Sequence, residues 1–235
     1  MKRRFIETDY NEVGQIHHAS EQRYVDPYFD KIYIAGKHEI HFTAHVDGDT
    51  ITRMKKLISE IVNDNKHLLV RYDDSGKPER DDKEFNITYI VNSPGGSVTS
   101  ILDFVDYIEF LRTTYSNLRF TSIITGLVAS AGTIMCVVAD RRKMTRFAHA
   151  MIHELSGGGG RTNYTRILTH AEFVQKLHRS LNIIYQEARG YDPEDQVEMK
   201  KLEDLLIRET WLTSAEYLNL GFVHEIISEK KKRSV

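Results

Sequence analysis

The 235-residue chain has a single cysteine, Cys136, and only four prolines. One cysteine excludes an internal disulfide framework and any cysteine-based zinc site. It also favours a reducing compartment, so we predict a cytoplasmic location. Four prolines and 14 glycines exclude collagen-like and proline-rich classes. The net charge of −2 leaves no basic excess to neutralise phosphates, so we predict no nucleic-acid partner.

Long apolar runs are also scarce. The one uncharged run of note, residues 123–139, is interrupted by Gly126, Ser130 and Gly132. A membrane span needs roughly 20 mostly apolar residues, so a buried strand followed by a buried helix explains the run better. Residues 5–10 contain two acids and no apolar core, which argues against a secretory signal. We therefore predict no membrane association.

The remaining composition is that of a globular protein in which strand and helix patterns alternate. Hydrophobic residues make up 40% and charged residues 28% of the chain, which argues against wholesale disorder. Apolar and β-branched segments predict strands at residues 31–36, 85–91, 120–125 and 222–227, with a strand or hairpin at 143–153. Helical spacing predicts helices at residues 51–62, 101–111, 162–188, 193–208 and 214–220. The alternation predicts an α/β layered domain with a largely parallel sheet.

Several details of these elements can be predicted as well. Asp49 or Thr50 is the expected N-cap of the first helix. The long helix should face inward with an apolar series that includes Ile167, Leu168 and Leu181. The domain is expected over residues 29–229. A flexible arm over 1–28 precedes it, a charged surface loop or hairpin interrupts it at 64–83, and a basic tail follows at 230–235.

One serine stands among small residues where a predicted strand gives way to a helix. Residues 126–132 read Gly-Leu-Val-Ala-Ser-Ala-Gly, with Ser130 as the serine. Small residues let a backbone approach a ligand closely, and a helix N-terminus offers free N–H groups to an anion. An acyl-transfer enzyme needs such a hydroxyl nucleophile beside donors for an oxyanion. A small-residue helix packed tightly against a neighbour is the alternative interpretation.

Two further segments suit the same chemistry. The turn at residues 92–96, Asn-Ser-Pro-Gly-Gly, ends a strand, where α/β folds place their sites, and its glycine N–H groups can form an oxyanion nest. His153 closes the segment Met-Ile-His and can act as a general base. An ordinary turn and a structural histidine are the alternatives. We predict no metal site and interpret the remaining clustered histidines as solvated loop residues: His17, His18, His38, His41 and His45.

Together these segments resemble the caseinolytic Clp protease proteolytic subunit family, the ClpP-like serine peptidases. The resemblance runs from about Lys31 to Ile227 and includes Trp-Leu-Thr-Ser-Ala-Glu at residues 211–216 and Leu-Gly-Phe-Val at 220–223. It implies a crotonase-like α/β fold with a layered parallel sheet and a protruding strand-helix handle. Residues 157–160, four glycines, and the helix from Thr162 would form that handle.

The resemblance also implies residue roles. Ser130 would be the nucleophile and His153 the general base. The backbone N–H groups of Gly95 and Ala131 would form the oxyanion hole. Residues expected to flank an extended substrate peptide are Gly96, Ser97, Val98 and Leu155. Such binding by strand addition is largely independent of substrate sequence.

The third catalytic position departs from the family pattern. The family usually has aspartate where this chain has Glu209, just before Trp211. Ser-His-Glu triads exist in other hydrolases, so Glu209 is the expected third member and Asp204 a fallback. The longer charged loop at 64–83 and the small Ala131 after the nucleophile also mark a divergent relative.

The family resemblance implies partners as well. Unfolded proteins would be hydrolysed inside a homo-oligomer of stacked seven-membered rings, fed by an ATP-driven AAA+ unfoldase. The chain has no Walker A motif, so we predict no cofactor in it and ATP use only through that partner. Residues 1–28 would be an axial loop or a propeptide. The alternatives are a catalytically silent ring subunit, a crotonase-type acyl-CoA enzyme, and a phage capsid-maturation protease of related fold.

Overall fold

The computed structural model describes residues 30–156 and 163–228. The predictions for the arm, for residues 157–160 and for the basic tail concern residues outside these ranges. The elements follow in the order β1 (Lys31–Gly36), β2 (Glu39–Thr43), α1 (Gly48–Asp64), β3 (Phe85–Ser93), α2 (Val98–Thr114), β4 (Leu118–Ala129), α3 (Ala131–Val137), β5 (Arg141–Thr145), β6 (His149–Ile152), α4 (Tyr164–Ala188), α5 (Gln196–Leu206), β7 (Thr210–Thr213), α6 (Ser214–Asn219) and β8 (Glu225–Ile227). Within these ranges, no helix is long and apolar enough to cross a membrane.

The described strands form one mixed sheet of eight strands. Its main path runs β1-β2-β3-β4-β5-β8, in which all pairs from β2 onward are parallel and β1 is antiparallel to β2. Off this path, β6 lies parallel to β4, and β7 lies antiparallel to β6. The predicted α/β class is confirmed, with antiparallel strands added at two margins of a largely parallel sheet.

Strand β4 changes its neighbouring strand along its length, and this change brings the end of β6 next to the end of β4. Residues Thr121 to Ile124 pair with β5, whereas residues Leu127 to Ala129 pair with β6. The change occurs at Gly126, whose φ of 60° is the left-handed conformation that glycine adopts without strain. The prediction that the strand ends at Thr125 is therefore wrong. The segment 143–153 is not a hairpin, since both of its strands run parallel to β4.

Two other local predictions also need correction. The N-cap of α1 is Asp47, whose carboxylate accepts from the Thr50 N–H at 2.9 Å while the Thr50 hydroxyl accepts from the Asp47 N–H. This reciprocal capping box satisfies two helix-end donors. Strand β2 was not predicted, and it contains His41, which is therefore not a loop residue. The side chains on one face of β2, Ile40 and Phe42, alternate with the other face and are completely buried.

The core lies between the sheet and its helices. Helices α1 and α2 contribute Met54, Ile58, Phe104 and Ile108, none of which is exposed, and each such side chain contributes about 1.5–3 kcal/mol by leaving water. The charged loop is exposed over residues 71–84, but Leu69 and Val70 before it are buried. The predicted surface loop is therefore shorter than residues 64–83.

Helix α4 packs along only part of its length. Its first half presents Tyr164, Ile167, Leu168 and Phe173 to solvent, each at least 47% exposed. Its second half buries Asn182, Tyr185 and Gln186. The expectation that Ile167 and Leu168 face inward is wrong for the single chain. The helix projects from the domain and returns to it beside α3.

Candidate active site

Ser130 occupies a sharp turn between β4 and α3. Its φ of 53° and ψ of −126° are costly for a residue with a side chain. The Ser130 N–H donates to the Met151 carbonyl, and the Thr133 N–H donates to the Ser130 carbonyl, both at 2.9 Å. Thr133 also donates its hydroxyl to the Ser130 carbonyl and bonds Tyr185 Oη. The surrounding structure thus holds the strained turn, which presents a half-buried serine at the end of a strand as a nucleophile elbow does.

His153 lies within hydrogen-bond reach of this serine. Strand β6 pairs Met151 with Ala129, so the residues that follow the two strands meet. His153 Nε2 is 2.7 Å from Ser130 Oγ, a distance suited to proton transfer. The sequence placed both residues at strand ends, and the structure brings them together.

Gly95 lies against the same turn. Because Ser93 pairs with Val128 in the parallel ladder, Gly95 and Ser130 sit two residues beyond a matched pair. A Cβ on Gly95 would lie 2.5 Å from the Ala129 carbonyl oxygen and 2.7 Å from Ser130 Cβ, and the residue has a φ of 91°. Only glycine fits this position, and its backbone directly contacts the nucleophile turn.

The two predicted oxyanion donors differ in their hydrogen bonding. Ala131 is the first residue of α3, so its N–H has no acceptor within the helix. The Gly95 N–H donates to Ser93 Oγ at 3.2 Å and is already engaged. Gly96, the next residue, lines the pocket beside Ser130. The oxyanion role of the Ala131 N–H stays a prediction, and Gly96 is an alternative to Gly95 for the second donor.

The pocket beside Ser130 and His153 has a volume of about 50 Å³ and is lined by Gly96, Val98 and Leu155 among others. Three of the four predicted substrate-contacting residues therefore border it. Ser97 does not, since its hydroxyl caps α2 by accepting from the Ser100 N–H at 3.3 Å. That Ser97 flanks an extended substrate peptide stays a prediction, since strand addition uses the backbone rather than this hydroxyl.

The sequence analysis did not predict that α4 forms one wall of this pocket. His178, Leu181, Asn182 and Tyr185 line the pocket, although they lie far from Ser130 in the chain. The only signal for them was polar residues on an inward helix face, which also fits ordinary packing.

A sequence model described as Clp protease matches residues 78–230 of the chain, more than half of it. The chain belongs to the Clp protease family. One curated relative, the ATP-dependent Clp protease proteolytic subunit 1 of Chlamydia abortus, is 31% identical over 144 residues, which are 60% of this chain and 69% of the relative. The ATP-dependent Clp protease proteolytic subunit of Streptococcus pneumoniae is 32% identical over 150 residues, 63% of this chain and 71% of the relative. These values describe a divergent member of the family.

This Clp protease chain departs from the family pattern mainly at the third catalytic position, where it has Glu209. Ile152 pairs with Thr210, so His153 and Glu209 are the next residues on two adjacent strands. Glu209 has a φ of 44°, and its exposed side chain hydrogen-bonds to no residue in the described ranges. Asp204 pairs with Lys200 at 2.7 Å. Among described residues, neither carboxylate contacts His153, and no three potential ligand side chains converge as a metal site would require.

Proposed function

We propose that the protein is a serine endopeptidase of the Clp type, with Ser130 as nucleophile and His153 as general base. The observation that carries this proposal is the 2.7 Å contact between Ser130 Oγ and His153 Nε2 at the mouth of a pocket. A serine hydroxyl is a weak nucleophile until an adjacent base takes its proton.

The reaction would proceed in two halves. Ser130 Oγ attacks the peptide carbonyl carbon while His153 Nε2 accepts the hydroxyl proton. His153 then gives this proton to the leaving amine, and the acyl group stays on Ser130. Water, deprotonated by His153, then attacks the acyl carbon; the bond to Ser130 Oγ breaks, His153 returns the proton to Ser130 Oγ, and the carboxylic acid product leaves.

The developing oxyanion would be held by backbone donors. Ala131 N–H, at the first position of α3, is one donor, and Gly96 or Gly95 supplies the other. Removing one such donor costs other hydrolases about 3 kcal/mol of transition-state stabilisation. The Gly95 N–H would serve only after it leaves Ser93 Oγ, which favours Gly96 in the resting arrangement.

Substrate would bind as an extended strand between residues 96–98 and Leu155. Backbone hydrogen bonds made in this way do not depend on side chains, which suits unfolded polypeptides as substrates. Strand pairing also requires an unfolded segment, so a folded protein would first have to be opened.

Assembly and an ATP-driven partner belong to the same proposal. The exposed apolar half of α4, with Tyr164, Ile167, Leu168 and Phe173, forms the kind of patch that marks a protein interface. The relatives are named as proteolytic subunits of ATP-dependent proteases. We therefore propose a homo-oligomeric chamber, stacked seven-membered rings being the family expectation, with ATP used by a separate unfoldase.

One observation favours a second candidate, a catalytically silent ring subunit. The exposed Glu209 leaves His153 without a described carboxylate partner, and such a partner normally fixes the histidine tautomer. Reactivity of Ser130 separates the two candidates directly.

The test is labelling of the purified protein with a fluorophosphonate probe, read by intact mass. We expect one adduct per chain, lost in Ser130→Ala and retained in Ser180→Ala, which changes an exposed serine of α4. His153→Gln should slow labelling strongly, while His149→Gln on the same strand should not. Peptide hydrolysis should fall by about 10⁶-fold in Ser130→Ala. An assembled, folded protein that forms no adduct would establish the silent-subunit candidate instead.

A further inference from the structure

The peptide group between Ser130 and Ala131 is held by side chains from two helices. The Ser130 carbonyl accepts from the Thr133 N–H at 2.9 Å and from the Thr133 hydroxyl at 2.5 Å. Thr133 Oγ1 also lies 2.5 Å from the hydroxyl oxygen of Tyr185, a residue of α4. Thr133 is fully buried, and Tyr185 is only 3% exposed. A residue far along the chain is therefore hydrogen-bonded, through one threonine, to the backbone of the nucleophile turn.

The protons in this chain of hydrogen bonds can run in one direction only. A carbonyl oxygen only accepts and a hydroxyl has a single proton, so Thr133 donates its proton to Ser130 and accepts one from Tyr185. Burial raises the pKa of the Tyr185 hydroxyl, so this group keeps its proton at ordinary pH. Hydrogen bonds in such a chain polarise one another. The Tyr185 hydroxyl therefore strengthens and orients the bond that Thr133 makes to Ser130.

These hydrogen bonds also determine where a neighbouring N–H group points. The Ser130 carbonyl and the Ala131 N–H belong to one planar trans peptide group, in which they point in opposite directions. Two bonds that fix the oxygen therefore fix the direction of the N–H, which the proposed peptidase function uses as an oxyanion donor. On the basis of that function, we propose that Tyr185 is a positioning residue, which acts through Thr133 to orient the Ala131 N–H toward the oxyanion.

The ring of Tyr185 also packs in the core, so its contribution has to be separated from that of the hydroxyl. The ring meets Phe222 edge-on, with the two ring centroids 5.6 Å apart. Tyr217 provides the matched control, because it is fully buried and stacks on the same Phe222 at 4.8 Å. The Tyr217 hydroxyl is buried without a hydrogen-bond partner among the described residues. Phenylalanine at either position keeps the ring, so only Tyr185→Phe removes a hydroxyl that is bonded.

The experiment compares these two variants with the wild type, in the full-length protein and with the fluorophosphonate probe. We expect Tyr185→Phe to label at least about 10-fold more slowly, a smaller loss than the about 10²–10³-fold caused by removing an oxyanion donor. Tyr217→Phe should label at the wild-type rate. The pH at which labelling is half-maximal should not move, because the contact between Ser130 and His153 is retained. With a short fluorogenic peptide, Tyr185→Phe should lower kcat and leave KM unchanged, since the oxyanion develops only in the transition state.

Variants of Thr133 test whether Tyr185 acts through it. Thr133→Ser keeps the hydroxyl and should label at nearly the wild-type rate. Thr133→Val keeps the shape without the hydroxyl and should lose at least as much as Tyr185→Phe. Adding Tyr185→Phe to Thr133→Val should cause no further loss, because residues of one hydrogen-bond network do not act independently. If Thr133→Val fails to fold, Thr133→Ala replaces it with the same expected results.

The positioning role and the peptidase function fail in different ways. Wild-type labelling by folded Tyr185→Phe, an equal loss in Tyr217→Phe, or a full additional loss in the double variant overturns the positioning role even if hydrolysis is fast. A shifted pH profile or a loss confined to KM overturns it as well. If the wild-type protein neither labels nor hydrolyses peptide, the peptidase function fails, and amide hydrogen exchange of residues 131–134 then tests the positioning. Faster exchange there in Tyr185→Phe, but not in Tyr217→Phe, supports the role of Tyr185, and exchange at the wild-type rate overturns it.

Discussion

Replacing Gly95 by alanine tests whether the glycine turn is part of the nucleophile's support. The new Cβ would stand 2.5 Å from the Ala129 carbonyl oxygen and 2.7 Å from Ser130 Cβ at a φ of 91°. Gly76 provides a matched control, because its φ is 77° but nothing lies within 4 Å of its Cβ position. Both variants therefore place alanine in a left-handed conformation, but only Gly95→Ala brings the new Cβ against the active-site turn.

The expected magnitudes follow from these contacts. A left-handed residue with a side chain costs about 1–2 kcal/mol, and overpacking adds about 1–3 kcal/mol at Gly95 alone. In a chain of this size about 1 kcal/mol corresponds to about 2–4 °C in Tm. Gly76→Ala should therefore lower Tm by about 2–8 °C, and Gly95→Ala by about twice as much. Relief of the clash must move the Ser130 turn by about half an ångström, and a 1 Å misplacement costs about 100-fold in rate.

Two assays measure these effects separately. Calorimetric melting gives the stability loss of each variant, and the rate of fluorophosphonate labelling gives the reactivity of Ser130. We expect labelling at the wild-type rate in Gly76→Ala and at least about 10-fold slower labelling in Gly95→Ala. Wild-type labelling by folded Gly95→Ala would refute the assignment of Gly95 as support for the nucleophile turn.

Three further predictions concern single side chains. Because the exposed Glu209 side chain does not hydrogen-bond to His153, Glu209→Gln should leave kcat close to the wild-type value, as expected for a Ser-His dyad; a loss approaching about 10⁴-fold would show instead that Glu209 orients the histidine as a triad carboxylate does. Burial and then the Arg142 charge lower the pKa of His224, so the unfolded chain binds the extra proton and stability is lost as pH falls below about 6.5. His224→Gln should flatten that fall in Tm. Burial raises the pKa of the Cys136 thiol, so a disulfide reagent should modify it only after denaturation; rapid modification of native protein would contradict this burial.

Local residue patterns were sufficient to predict much of the active site. Small residues around Ser130 indicated a tight strand-to-helix turn, and His153 closed an apolar strand. The end of α4 was also predictable, since Gly190 supplies the left-handed residue, with a φ of 81°, that commonly follows a helix. Each of these features depends on neighbours within a few residues, so it can be predicted from the sequence alone.

Which residues line the pocket depends on contacts between segments that are distant in the chain. Ser130 meets His153 because β6 pairs with the end of β4, and Asn182 joins them because α4 returns beside α3. Glu209 comes next to His153 in register because β7 pairs with β6. Strand pairing and helix packing join positions far apart in the chain, and the residue pattern of one segment does not encode its partner. The sequence by itself determined which residues could perform the chemistry, and only the tertiary structure decided which of them stand within reach of Ser130.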